Sequence, residues 1–242
     1  MGTKAASGRK VPDGGPRFSG GASDVEGEEP TNAQKLCAQG GELFLKYDQQ
    51  KMIDRFGLES DDGFIYLDYL GDAYRIDRAT SLVDVKEADG GWREFLEAPY
   101  TVLSIYDMLG HFQDQDDDPY LSGEYCPTKS LVKAASTPSA PTGYDRLSAL
   151  TGHVDELAAG CERIGGKLQP RLARADITYK IPVFDWFDVI FQFWDGDEEF
   201  EPKTMFLWDR NALSFMHFET LYYVMGDIMS KLWSGFRVYN LD

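Results

Sequence analysis

Two hydrophobic rhythms alternate along the chain, and the changes between them mark its elements. From Asn32 the rhythm is helical. Thr31 or Asn32 is a fitting cap, and Gly40-Gly41 interrupts the pattern. Leu43, Phe44, Tyr47, Ile53 and Phe56 then share one face, with Gly57 as the stop. The period next shortens to two. GFIYLDYL (63–70) and AYRID (73–77) flank Gly71-Asp72 and predict a hairpin with a two-residue turn, followed by a short strand over 82–85. Pro99 opens a helix carrying Val102, Ile105, Tyr106 and Leu109, with His111 at its end. Between 144 and 164 the positions Leu147, Leu150, Val154, Leu157, Cys161 and Ile164 predict one helix, ended by Gly165-Gly166; Cys161 lies on its apolar stripe.

Residues 174–194 predict two strands broken near Pro182, a residue tolerated at a strand start, an edge or a bulge. From Phe187 onward both faces are mostly apolar, which predicts a central strand covered on both sides. Asp195-Gly196 marks a turn and Met205–Trp208 the returning strand. Phe218, Leu221, Val224, Met225, Ile228, Met229 and Leu232 form the stripe of a last helix. These elements predict an α+β fold: one domain over 32–242, with a mainly antiparallel or mixed sheet packed against several helices. Residues 1–31, rich in Gly, Ser and Pro, predict a disordered tail.

Charge narrows the function. The formal net charge is −17, of which residues 1–31 contribute only −1. Such a surface repels phosphates and anionic lipid headgroups, so neither a nucleic-acid nor a membrane partner is expected. No apolar run reaches the roughly 18 residues of a membrane span. The three cysteines are far apart and form no CxxC pair, which fits a reducing cytoplasm better than a disulfide framework or zinc site.

The segment WDGDEEF, followed by FLWD and a helix opening at FETL, resembles the bacterial and archaeal family of the domain of unknown function 3786. YLGDAYRID, TVLSIYDML, YDRL, Gly165-Gly166 and Asp176 are similar to that family's frame as well, over residues 32–232. Trp194 to Phe200 is the most specific block. At the last helix this chain has Glu219-Thr220 where the family usually has Glu-Asp. The resemblance implies no reaction. It implies an accessory or binding protein of anaerobic redox or corrinoid and one-carbon metabolism, with an iron–sulfur or corrinoid protein as partner. Any iron–sulfur cluster would belong to that partner, because such centres usually take four thiolates.

Two alternatives rest on the residues themselves. Asp195, Asp197, Glu198, Glu199 and Asp209, with His217 and Glu219, form a candidate polar site that could serve acid–base chemistry or bind a hard cation. The plainer reading is a solvated turn. Trp186, Trp194 and Trp208 form a candidate aromatic pocket for a flat ligand, against plain core packing. Asp185 and Asp188 interrupt a strand and are expected near its exposed start. Asp114, Asp116 and Asp118 begin like a calcium loop, but Pro119 stands at the glycine position and Tyr125 at the twelfth. His217-Phe218-Glu219 has the H-x-E of zinc deaminases without a following P-C-x-x-C. The three histidines show no metal-ligand spacing, so no metal site is expected; the aromatic pocket would make the protein a small-molecule or cofactor carrier, with the cofactor unknown. No P-loop, dinucleotide fingerprint or serine elbow is present.

Overall fold

The computed structural model describes residues 30–131 and 150–239, with side chains to 232. Within them lie six helices and two antiparallel five-stranded sheets, an α+β domain. Helix α1 (Asn32–Phe44) starts in a capping box: Thr31 accepts from the Gln34 N–H while the Gln34 side chain accepts from the Thr31 N–H. Helix α2 (Gln49–Phe56) is capped by Asp48 and ended by Gly57 in the left-handed conformation.

The first sheet is a meander of β1 (Glu59–Ser60), β2 (Phe64–Tyr69), β3 (Asp72–Asp77), β4 (Val83–Lys86) and β5 (Trp92–Glu94), in that order. Tyr69 pairs with Asp72, so the hairpin turn is Leu70-Gly71, one residue earlier than Gly71-Asp72. Both turn residues have positive φ, 48° and 82°. Leucine resists that conformation. Here its side chain is buried and its N–H donates to the Val183 carbonyl at 3.0 Å, tying the turn to the second sheet. At Gly71, a Cβ would stand 3.3 Å from the Ile164 Cα, so the turn also needs glycine for space.

Helix α3 (Pro99–Gly110) begins with proline in its first turn and runs into a 3-10 turn, His111–Asp114. Short elements β6 (Tyr125–Pro127) and α4 (Thr128–Leu131) follow. Helix α5 spans Val154–Arg163, so it is shorter than the 144–164 stripe suggested. Gly152, at φ 80°, sits in the turn before it, and the part of the expected helix before Leu150 lies outside the described residues, as does the expected tail up to Glu29. Cys161 is fully buried on the predicted stripe, and burial pushes its thiol pKa well up.

The second sheet has the order β6-β10-β9-β8-β7, with β7 at Lys167–Leu168, β8 at Ile177–Phe184, β9 at Phe187–Trp194 and β10 at Lys203–Asp209. Pro182 does not divide the first of these long strands. It lies inside β8 at a bulge between Pro182 and Phe184, and the hairpin turns at Asp185-Trp186. Strand β9 is the centre of the sheet and is buried along most of its length, as its two apolar faces require. Asp185 is exposed at the turn, whereas Asp188 accepts from Tyr125 and pairs with Lys180 at 2.8 Å.

The last helix, α6 (Phe218–Tyr239), buries Leu221, Val224, Met225, Ile228 and Leu232. It packs on α3 and α5, and α3 also packs on α1, where Gly40 brings the helices so close that a Cβ would stand 2.7 Å from Leu103. One inward-facing acid joins three elements: Asp227 on α6 accepts from Tyr69 Oη of β2 at 2.7 Å and from Thr101 Oγ1 of α3 at 2.8 Å. Burial raises the Asp227 pKa to about 6 against the downward pull of both hydroxyls and of Lys231. No helix among the described residues is long and apolar enough to cross a membrane.

Candidate functional site

The acidic turn does not assemble a site. Asp195 accepts from the backbone N–H groups of Gly152 and Gly196, both at 2.9 Å. Asp197 accepts from Glu199 and Phe200 N–H, both at 2.8 Å, as a turn-forming aspartate does, and Glu198 and Glu199 are exposed. Asp209 lies at the other end of β10, roughly 20 Å away at a strand rise of about 3.3 Å per residue. There it is buried and holds a different loop. It accepts from Gly123 N–H at 2.7 Å, Asn211 N–H at 2.8 Å, and the N–H and hydroxyl of Ser122 at 3.1 Å each. Glu219 is exposed in the first turn of α6.

The three tryptophans are equally dispersed. Trp208 is fully buried and donates to Thr128 Oγ1 at 3.0 Å. Trp194 donates to the Ala173 carbonyl at 3.2 Å beneath the Lys203 ammonium. Trp186 lines an open groove, but Phe56 and Phe184 stack on it at centroid distances of 4.1 and 5.4 Å. A flat ligand has no shared pocket among the three. Nor do the loop aspartates gather as calcium ligands: Asp114 accepts from Tyr47 and Asp118 pairs with Arg55.

One member of the polar set does meet other chemistry. His217 precedes α6, and Asp107 of α3 reaches across to it. Asp107 Oδ2 accepts from the His217 N–H at 2.8 Å and from Thr220 Oγ1 at 2.5 Å; Asp107 Oδ1 stands 2.6 Å from His217 Nδ1. The carboxylate thus caps the start of α6, where the helix dipole favours negative charge. It also fixes Nδ1 of His217 as the nitrogen facing Asp107, leaving Nε2 free. The carboxyl side chain is 16% exposed and the imidazole 56%.

His111 completes the group. It follows the last residue of α3, one helical turn beyond Asp107, and its ring lies 4.2 Å from that of His217, centroid to centroid. Gln115 Nε2 is 3.1 Å from His111 Nε2. The buried Nδ1 makes no hydrogen bond among the described residues; the Leu213 backbone is near enough to favour its proton but is not in bonding geometry. Burial, followed by the neighbouring His217, lowers the His111 pKa, while Asp107 and Asp114 oppose the shift. Burial thus favours the neutral ring, the form that donates a lone pair to a metal.

One ligand atom from each of Asp107, His111 and His217 lies within 4.8 Å of the others. Two ligands each about 2.1 Å from a tetrahedral zinc ion are about 3.4 Å apart, so small torsions close the set around an ion. The histidines lacked ligand spacing because the set spans two distant segments. Asp107 and His111 were missed, although their separation of four on one helix places both on one face. No local signal could have added His217.

A family model described as Domain of unknown function (DUF3786) matches residues 48–231. The chain belongs to that family. The match includes all three residues of the cluster and leaves α1 outside. No curated protein and no solved structure matches the chain.

Proposed function

We propose that the protein binds a divalent transition-metal ion at the junction of α3 and α6, held by Asp107, His111 and His217. The supporting observation is the convergence of two imidazoles and a carboxylate, within 4.8 Å, from segments more than 100 residues apart. Calcium and magnesium prefer all-oxygen sites, whereas imidazole donors suit zinc, iron, nickel or cobalt. Three protein ligands leave coordination positions open to water or a small molecule. Asp107 supplies the third ligand and also fixes the start of α6, through the His217 N–H and Thr220 Oγ1. The protein then acts as a metal-binding accessory protein, and the family resemblance supplies a setting in anaerobic redox or corrinoid metabolism.

The test is titration of chelator-treated protein with cobalt(II), followed by visible absorbance, then displacement by zinc. The expected result is stoichiometric binding in the micromolar range or tighter, weakened at least tenfold by His111→Ala or His217→Ala. Binding that fails to saturate, or that is the same in both variants, would overturn the proposal.

A further inference from the structure

Arg55 of α2 is held in an aromatic enclosure on another face of the same 3-10 turn. Its guanidinium carbon lies 4.8 Å from the ring centre of Phe112, 5.5 Å from Phe215 and 5.9 Å from Phe56. These residues, with Tyr120 and Trp186, line an open, shallow groove. Nothing in the chain's acidic patterning marked this arginine.

The cation is only 21% exposed, yet its anionic partner is Asp118, a loop side chain that is 85% exposed. Its other partner is the Pro119 carbonyl. A carboxylate so open to water is weakly held, because pairs with exposed members contribute little. The guanidinium itself is built for planar, two-point recognition of a carboxylate. A second observation concerns the groove wall. Trp186 lines the groove with its indole N–H buried and donating to nothing among the described residues, so the N–H reports on changes in the groove wall. Tyr120 at the rim is 71% exposed, a large apolar ring without cover.

We infer that this groove binds a small organic carboxylate with an apolar, ring-sized body, and that Asp118 occupies the carboxylate's place in the free protein. The acid of the ligand displaces Asp118 from Arg55, and its body lies against Phe112, Phe215 and the Trp186 edge. Phe56 and Phe184 already stack on Trp186, so the indole is not a vacant stacking platform for the body. The overall charge of −17 does not attract an anion, which leaves recognition to the local guanidinium and the rings around it. This inference is independent of the metal reading.

The test is an NMR titration of the full chain with phenylpropionate and indole-3-acetate, each against its uncharged amide, observing the Trp186 indole N–H. The acids are expected to give a saturable shift and the amides at least a tenfold weaker one. Arg55→Gln is expected to weaken the acids at least tenfold, and Asp118→Asn to strengthen them. Arg55→Lys keeps the charge without the fork and guards against misfolding; it is expected to bind several-fold more weakly. No saturable shift with either acid, equal binding of acids and amides, unchanged binding in Arg55→Lys, or weaker binding in Asp118→Asn would each overturn the inference.

Discussion

Asp227→Asn should make the protein more stable at neutral and alkaline pH, with a gain that shrinks as the pH falls through about 6 towards 3.8. The carboxylate joins α6 to β2 and α3 through Tyr69 and Thr101, and burial moves its pKa from 3.8 to about 6. An acid whose folded pKa is raised binds its proton more tightly in the native state. Stability from this group is therefore fully present below the unfolded pKa of 3.8 and declines as pH rises to about 6. The rise corresponds to about 3 kcal/mol at pH 8, the cost of keeping the ionised group inside. Asparagine carries no charge and still serves both hydroxyls, accepting from one and donating to the other. Asp227 also helps to raise the pKa of Tyr69 and of Tyr74, but burial is the larger cause in both, so these phenols stay protonated at pH 5 and pH 8 in either protein and add nothing to the difference. Urea unfolding followed by tryptophan fluorescence at pH 5 and pH 8 reads the effect. The variant should gain about 2–3 kcal/mol over wild type at pH 8 and about half of that at pH 5. An equal gap at both pH values, or a variant weaker than wild type at pH 8, would refute the reasoning.

Asp209→Ala should cost about 3 kcal/mol or more in the same assay, because it strands the N–H groups of Ser122, Gly123 and Asn211. Asp197→Ala, in the exposed turn, should cost under about 1 kcal/mol although it lies within the family match. Gly71→Ala should lose about 1–3 kcal/mol, since its φ of 82° and the close Ile164 backbone both oppose a Cβ. Native wild-type melting temperature should rise on adding zinc, as any ligand of the folded state alone requires, and the rise should vanish in His217→Ala.

Local rhythm made much of the fold readable. The Pro99 helix, the central strand from Phe187, its returning partner and the last helix's stripe all depend on neighbours within a few residues. Errors arose where distant groups decide. The first hairpin turns at Leu70-Gly71 because Leu70 is held by burial and by Val183, more than 100 residues away. Pro182 stays within β8 because a bulge accommodates it. The candidate site followed the same logic. A dense run of carboxylates drew attention to the 195–199 turn, yet Asp197 satisfies its own backbone there. Asp107 and His111 were legible as a helical pair, but their significance comes from His217, a contact spanning 110 positions.

The short outer strands have a consequence for how another protein could join this one. β1 and β7 have two residues each, and β5 and β6 three, while the inner strands run to eight. Along β8, the part left unpaired by β7 is further occupied by Gln169 N–H on the Thr178 carbonyl and Leu70 N–H on that of Val183. The end strands therefore offer few peptide groups on which an incoming strand could grow. Main-chain zippering, a mode indifferent to much of the partner's sequence, finds little to hold on them. A partner that docks there has to recognise side chains, and that makes its choice sensitive to single substitutions on this surface.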